Sequence, residues 1–230
     1  MKRVNRVGLA VLALSFFVHR PAPAQSGSTL REVVAALSGP VMIFVSDRLP
    51  EPVIPTCGPC PRSEVNPFDR WVIHEELLAP QVVGWATIGG LMAYTWSDMA
   101  RDDAAGFSHI RASAEASLFA GGLASLLKET FHRRRPAWYT NNAVGQSVAT
   151  MRENMRSFPS GDTSIGFALA TSYVLSRGPR LKPFQKVLVF SGASLVGVAR
   201  LAGGKHFPTD VLGGAAVGMF SAWAVHEIRF

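Results

Sequence analysis

The chain has 230 residues, 48% of them hydrophobic and 17% charged, enough for one domain with a substantial core. Its formal net charge is +7, but Lys2, Arg3, Arg6 and Arg20 all fall within the first 24 residues, where there is no acid. Beyond that stretch 19 cations face 16 acids, and a balance of +3 is too small to argue for a nucleic-acid partner.

Met1 to Arg6 is basic, residues 7–18 are apolar, and Ala22-Pro23-Ala24 offers small residues for cleavage. That layout predicts a secretory signal peptide over 1–24, with an uncleaved anchor as the alternative. Either way the chain from residue 25 starts outside the cytoplasm. Thr29 with Glu32 has the spacing of a capping box and predicts a short helix to about Leu37. Residues 39–66 read as an irregular, Pro-rich stretch.

Within that stretch lies Cys57-Gly58-Pro59-Cys60, whose spacing matches thioredoxin-like redox motifs. Redox chemistry of that kind needs the first thiol at a helix start, and Pro52, Pro55, Pro61 and Pro67 favour a loop instead. In an exported chain a structural disulfide is the plainer reading. Phe68, Trp71, Val72 and Leu78 suggest an amphipathic helix that leads into the main body. The expected division is therefore a 25–80 extracytoplasmic segment followed by a domain over 81–230.

Five apolar segments follow: Leu77–Ser97, Ala116–Leu127, Thr163–Ser176, Val187–Ala199 and Val211–His226. They lack period-two alternation, so they predict helices, and the pairs Gly89-Gly90, Gly121-Gly122 and Gly213-Gly214 would let helices approach closely. Runs of 12 to 14 residues are short for a membrane span and also suit a soluble bundle. The connection Arg177–Lys186 carries four cations and no acid, as a cytoplasmic loop does. Five spans counted from an exported start put that loop inside and Arg135, Ser160 and His206 outside. The prediction is an all-α bundle of five to six core helices, embedded in a membrane.

Three stretches carry phosphate chemistry. Lys128 and Arg135-Pro136 stand at the end of a helix, where cations merely complement the helix dipole or else clamp an anion with a point charge and a planar fork. Pro159-Ser160-Gly161 precedes an apolar run; it is an ordinary helix start, with Ser160 as N-cap, or a set of free backbone N–H groups for an anion. Arg200, His206 and Asp210 are the most specific. The carboxylate four residues after the imidazole can fix its tautomer so that the other ring nitrogen attacks phosphorus, or it can simply cap a helix.

The order and spacing of Lys128-x6-Arg135-Pro136, Pro159-Ser160-Gly161 and Arg200-x5-His206-x3-Asp210 resemble the signatures of the type 2 phosphatidic acid phosphatase (PAP2) superfamily, over roughly residues 80–230. Ala199 stands where a Ser often precedes the Arg. The resemblance implies phosphate binding by Lys128, Arg135 and Arg200 with backbone help from Ser160 and Gly161. It further implies His206 as nucleophile of a phosphohistidine intermediate, Asp210 as its orienting partner, and no metal or other cofactor.

One position departs from the pattern. Asp162 stands where the family has a second His, the proton donor to the leaving alkoxide. Asp162 could serve as the acid itself. A diphosphate substrate would need less proton donation. Or the site binds phosphorylated ligands without efficient turnover, Asp162 pairing with Arg135 or Arg200. His132, one turn after Lys128, is a further proton source on this reading.

The expected function is phosphatase action on monoesters or diphosphates of lipids, at an inner membrane with the site facing the periplasm. A soluble periplasmic acid phosphatase for small esters and a thiol oxidoreductase are the competing readings.

Overall fold

Four of the five uncharged stretches become the middle of a longer helix, because charged residues at their edges also lie in the helices; the first, Leu77–Ser97, begins at the N-cap residue of its helix. The computed structural model describes residues 28–102, 105–141 and 146–230, and among them there are eight α-helices and no strand. In chain order these are α1 (Ser28–Ser46), α2 (Pro67–Arg70), α3 (Leu78–Met99), α4 (Gly106–Phe131), α5 (Val148–Glu153), α6 (Gly161–Arg177), α7 (Pro183–Ala202) and α8 (Pro208–Arg229). The predicted signal peptide lies outside the described residues.

Helix α6 is the axis of the bundle. It packs against α3, α4, α7 and α8, and none of its residues is exposed. Its small residues Gly166, Ala168 and Ala170 are buried and let neighbours approach. On α8, a Cβ at Gly218 would stand 2.2 Å from the carbonyl oxygen of Ser164, so only glycine permits this contact. Leu169 and Tyr173 of α6 join Leu91, Met99 and Val189 in the main apolar cluster.

The outer helices turn large apolar side chains outward. Trp85 on α3, Leu188 and Val198 on α7, and Phe220 and Trp223 on α8 are all exposed. Two of these helices, α7 and α8, are long and apolar enough to cross a membrane, each with a mean hydropathy of 1.3. The longest uncharged run in the sequence, in α3, is not one of them.

The N-terminal region differs from the expectation in two respects. Helix α1 does not stop near Leu37; it continues through Pro40 to Ser46, so residues 39–46 are helical. It lies alongside α4 and parallel to it: Glu32 pairs with Arg111, and Gly39 rests against the backbone of Leu118. Farther along, Met42 packs at Gly122. This sixth long helix starts at the end of the bundle opposite Lys128, where the five-span count from residue 25 had placed the chain on the same side. The second difference is at Phe68 and Trp71. They do not belong to an amphipathic helix running into α3; α2 is a single turn, and both side chains are exposed while Val72 is buried.

Residues 47–77 form a roof over one end of the bundle. Cys57 and Cys60 are joined in a disulfide. Cys60 N donates to the Trp138 carbonyl at 2.9 Å, and Cys60, Val65, Val72 and Ile73 pack with Trp138, Tyr139 and Phe207. The roofed end holds all three phosphate stretches. At the opposite end Arg177 binds Asp98 and Asp102, so the basic α6–α7 connection finds its acids on the end of α3.

Candidate active site

Main-chain hydrogen bonds draw the three stretches together. Ser157 N donates to the carbonyl of Arg133 at 2.9 Å, Ser160 N to that of Asp210 at 2.9 Å, and Arg135 N to that of Asn154 at 2.8 Å. The end of α4, the start of α6 and the α7–α8 connection therefore meet at one point. Gly204, with φ of 65°, makes the tight turn out of α7 that delivers His206; a side chain there would be strained.

Lys128, Arg135 and Arg200 lie close enough to repel one another electrostatically. A Cβ on Gly161 would come within 3.5 Å of Lys128 Nζ, so the amine stands over the first residue of α6, where backbone N–H groups point outward. Arg135 and Arg200 are each only 6% exposed. Arg135 Nε and Arg200 Nη1 are buried without a hydrogen-bond partner among the described residues. A buried guanidinium with unsatisfied N–H groups is costly by itself and well suited to an oxyanion.

Each arginine also has a carboxylate neighbour. Arg135 Nη2 donates to Glu153 at 2.9 Å, and Arg200 Nε lies 3.2 Å from Asp162. Of the two pairings expected for Asp162, the one with Arg200 is formed. Glu153 was not anticipated.

His206 is 2% exposed and Asp210 fully buried. Burial pushes the imidazole down to about 4; Asp210 opposes this, while the charges on Arg135 and Lys128 add to it. At neutral pH the ring is therefore uncharged and one nitrogen keeps a lone pair. Nδ1 faces Asp210 Oδ2 at 3.6 Å, which leaves Nε2 as the ring nitrogen that does not face that carboxylate. Asp210 Oδ2 has two closer donors, Ser157 Oγ at 2.5 Å and Phe207 N at 2.8 Å.

Two predicted positions behave differently from expectation. Ser160 is the N-cap residue by position, but its hydroxyl bonds Thr163 and does not cap the helix. It is fully buried and its N–H is taken by the Asp210 carbonyl, so of the two predicted positions Gly161 is the one whose N–H can meet an anion. His132 does not share a face with Lys128. It ends α4 in the left-handed conformation, φ 44°, and its ring turns to Glu129 at 3.8 Å.

Arg133, Arg134 and Arg135 are consecutive in sequence, and the structure sends them to three different places. Arg134 pairs with Glu64 and Arg135 enters the phosphate site. Arg133 reaches back to Asp210 Oδ1 at 2.5 Å and to Asp69 at 2.6 Å. Lys205, next to His206 in sequence, pairs with Glu76 and stands near Arg135 and Arg200. Arg135 and Lys205 open onto a pocket of about 390 Å³ lined also by Glu76, Thr150, Asn154, Ala137 and Ala149, a mixture of polar and apolar side chains. Among the described residues no group of three or more His, Cys, Asp or Glu side chains gathers as a metal site.

A family model described as the PAP2 superfamily matches residues 112–230. Two curated relatives are each named lipid A 1-phosphatase. The one from Porphyromonas gingivalis is 32% identical over 125 residues, covering 54% of this chain and 22% of its own length. The one from Rhizobium johnstonii is 31% identical over 107 residues, covering 46% of this chain and 41% of its own. The chain thus spans less than half the length of either relative. Among solved structures, the crystal structure of Aquifex aeolicus LpxE aligns with a TM-score of 0.48 at 23% identity, covering 69% of this chain and 92% of that one.

Proposed function

The chain belongs to the PAP2 superfamily, and with that as premise we propose that it hydrolyses phosphorylated lipids through a phosphohistidine on His206, without a metal ion. The observation that carries this reading is the buried, neutral imidazole of His206 held between Asp210 and the cations Lys128, Arg135 and Arg200.

Lys128, Arg135, Arg200 and the N-terminal N–H groups of α6 take the phosphoryl oxygens and stabilise the charge that develops on them. Nε2 of His206 attacks phosphorus, the bond to the leaving oxygen breaks, and its electron pair stays on that oxygen. Asp210 stabilises the imidazole as it becomes cationic. Water then attacks the phosphohistidine, the phosphorus–nitrogen bond breaks, and inorganic phosphate departs.

Asp162 selects among substrates. It is bound to Arg200, and the family's proton-donating His is missing from that position. The chemistry favours leaving groups that depart without a proton: the phosphate of a diphosphate, or the anomeric oxygen of a sugar phosphate. The names of the two curated relatives support a phosphorylated saccharide lipid. The pocket beside Arg135 offers Glu76, Thr150, Asn154 and Lys205 as hydrogen-bond partners for a headgroup of that kind.

A membrane setting is supported by α7 and α8 and by the outward apolar side chains on α1, α3, α7 and α8. The basic α6–α7 connection would then lie on the cytoplasmic side, and the roofed site on the outer, periplasmic side. Because Ser28 lies at the connection's end, this orientation puts the start of α1 on the cytoplasmic side, at odds with the exported start expected from residues 1–24.

The test is phosphate release by detergent-purified protein from four substrates: a lipid-linked sugar 1-phosphate, a polyprenyl diphosphate, a diacylglycerol phosphate and a small soluble ester. We expect the protein in the membrane fraction and the first two substrates turned over fastest. Protein in the soluble fraction that prefers the small ester would contradict the lipid reading and favour a soluble periplasmic phosphatase. Phosphate binding without release from any substrate would favour a degenerate binding protein.

A further inference from the structure

Asp69 lies outside the matched family region and outside all three phosphate stretches, yet it is fully buried next to them. Its carboxylate takes four hydrogen bonds. Oδ1 accepts from Thr209 N at 3.0 Å. Oδ2 accepts from Thr209 Oγ1, Arg133 Nη2 and Asn66 Nδ2, each at 2.6 Å. Burial raises the Asp69 carboxyl, but the hydrogen bonds from Thr209, Arg133 and Asn66 outweigh it and hold the group below the usual carboxylate range.

Arg133 spans two carboxylates. While Nη2 is on Asp69, Nη1 donates to Asp210 Oδ1 and to Thr209 Oγ1, both at 2.5 Å. The Arg133 guanidinium also lies 4.6 Å over the ring of Phe207, the residue between His206 and Pro208. Asp210 has two oxygens with separate duties: Oδ1 is taken by Arg133, and Oδ2 faces His206 Nδ1. Arg133 can hold that division only if its own plane is fixed, and Asp69 fixes it.

We propose that Asp69, through Arg133 and Thr209, positions the Asp210 carboxylate against His206 and so sets the reactivity of the nucleophile. The short helix α2 is thereby part of the catalytic unit, joined to it by contacts across 64 residues to Arg133 and 140 residues to Thr209. Asp69 and Arg133 touch neither the phosphate cations nor the pocket walls in any bond described above. They are positioning residues. The inference rests on the phosphohistidine reading.

The physical consequence is a split between chemistry and binding. Asp69→Asn keeps an acceptor for Thr209 N but removes the charge that anchors Arg133. Outer partners of this kind typically change activity about 10- to 100-fold, and that drop is expected in kcat. Inhibition by inorganic phosphate, which reports the Lys128, Arg135 and Arg200 clamp, should stay within about 2-fold of wild type. In an Asp210→Asn background Asp69→Asn should cause no further loss, because its effect passes through Asp210.

Arg133→Lys gives an independent check should Asp69→Asn fail to accumulate. Lysine keeps the charge but cannot serve both carboxylates with a planar fork, so the same kcat-only loss is expected. Unchanged kcat in either folded variant would overturn the proposal, as would a kcat loss matched by equally weakened phosphate inhibition. Full additivity with Asp210→Asn would overturn it too. The two failures are distinguishable. A wild type that releases no phosphate overturns the phosphatase reading and this inference with it. An active wild type indifferent to Asp69 overturns this inference alone.

Discussion

His206→Ala should reduce turnover of every substrate by about 10⁴-fold or more while phosphate still binds. On the proposed mechanism the imidazole takes the phosphoryl group, while Lys128, Arg135 and Arg200 stand together on other elements. Steady-state phosphate release and titration with inorganic phosphate check the two halves. The wild-type pH profile belongs to the same prediction. Burial lowers the His206 pKa to about 4, so the ring is neutral above that value and gains a proton only as pH falls through it. The acid limb of kcat/KM, corrected for ionisation of the substrate, should therefore lie near 4 and not near the ordinary 6.5 of histidine. A limb at 6.5 would mean that the nucleophile is solvated during catalysis and that the buried arrangement is not the working one.

Asp162→His should raise turnover of a diacylglycerol phosphate by about 10²-fold, the lower end of what a positioned general acid contributes. Its effect on a diphosphate should be small, because that leaving group needs no proton. Two changes act together: an imidazole replaces the carboxylate at the start of α6, and Arg200 loses its partner at 3.2 Å. Asp162→Asn separates them. It also releases Arg200 but supplies no acid, so it should strengthen inhibition by inorganic phosphate without accelerating the ester. If Asp162→Asn abolished activity on all substrates, Asp162 itself would be the working acid and the leaving-group argument would fail.

The core was legible because its periodicity is local. Five uncharged runs without strand alternation predict five helices, and α3, α4, α6, α7 and α8 occupy those positions. The helices run past their uncharged runs where charged residues lie in the last turn, as Lys128 and Arg200 do, and for Lys128 that place was expected. Helix α1 was cut short because Pro40 reads as a breaker; packing of Gly39 on α4 supplies what the lost backbone bond does not. His132 was misplaced by helical phase. Four residues after Lys128 should mean the same face, but the helix ends there in a left-handed turn.

For the site, the family-like spacing picked out groups that the fold gathers at one end of the bundle. It could not rank three consecutive arginines, since which one faces Asp210 depends on the chain direction after α4. Nor could it find Asp69, Glu153 or Glu76, whose partners are remote in sequence and carry no motif. The roof over residues 47–77 is likewise a tertiary feature. The Cys57–Cys60 pair was read as structural from its prolines, and its place under Trp138 agrees with that use.

The central claim is a covalent bond between His206 and phosphorus. It is tested most directly by mixing wild-type protein with phosphorus-labelled polyprenyl diphosphate, quenching in alkali within the first turnover, and mapping the label by peptide. The account predicts acid-labile label on the peptide bearing His206, lost in His206→Ala. Wild-type turnover with no label on that peptide at any quench time would contradict it and require direct attack by water.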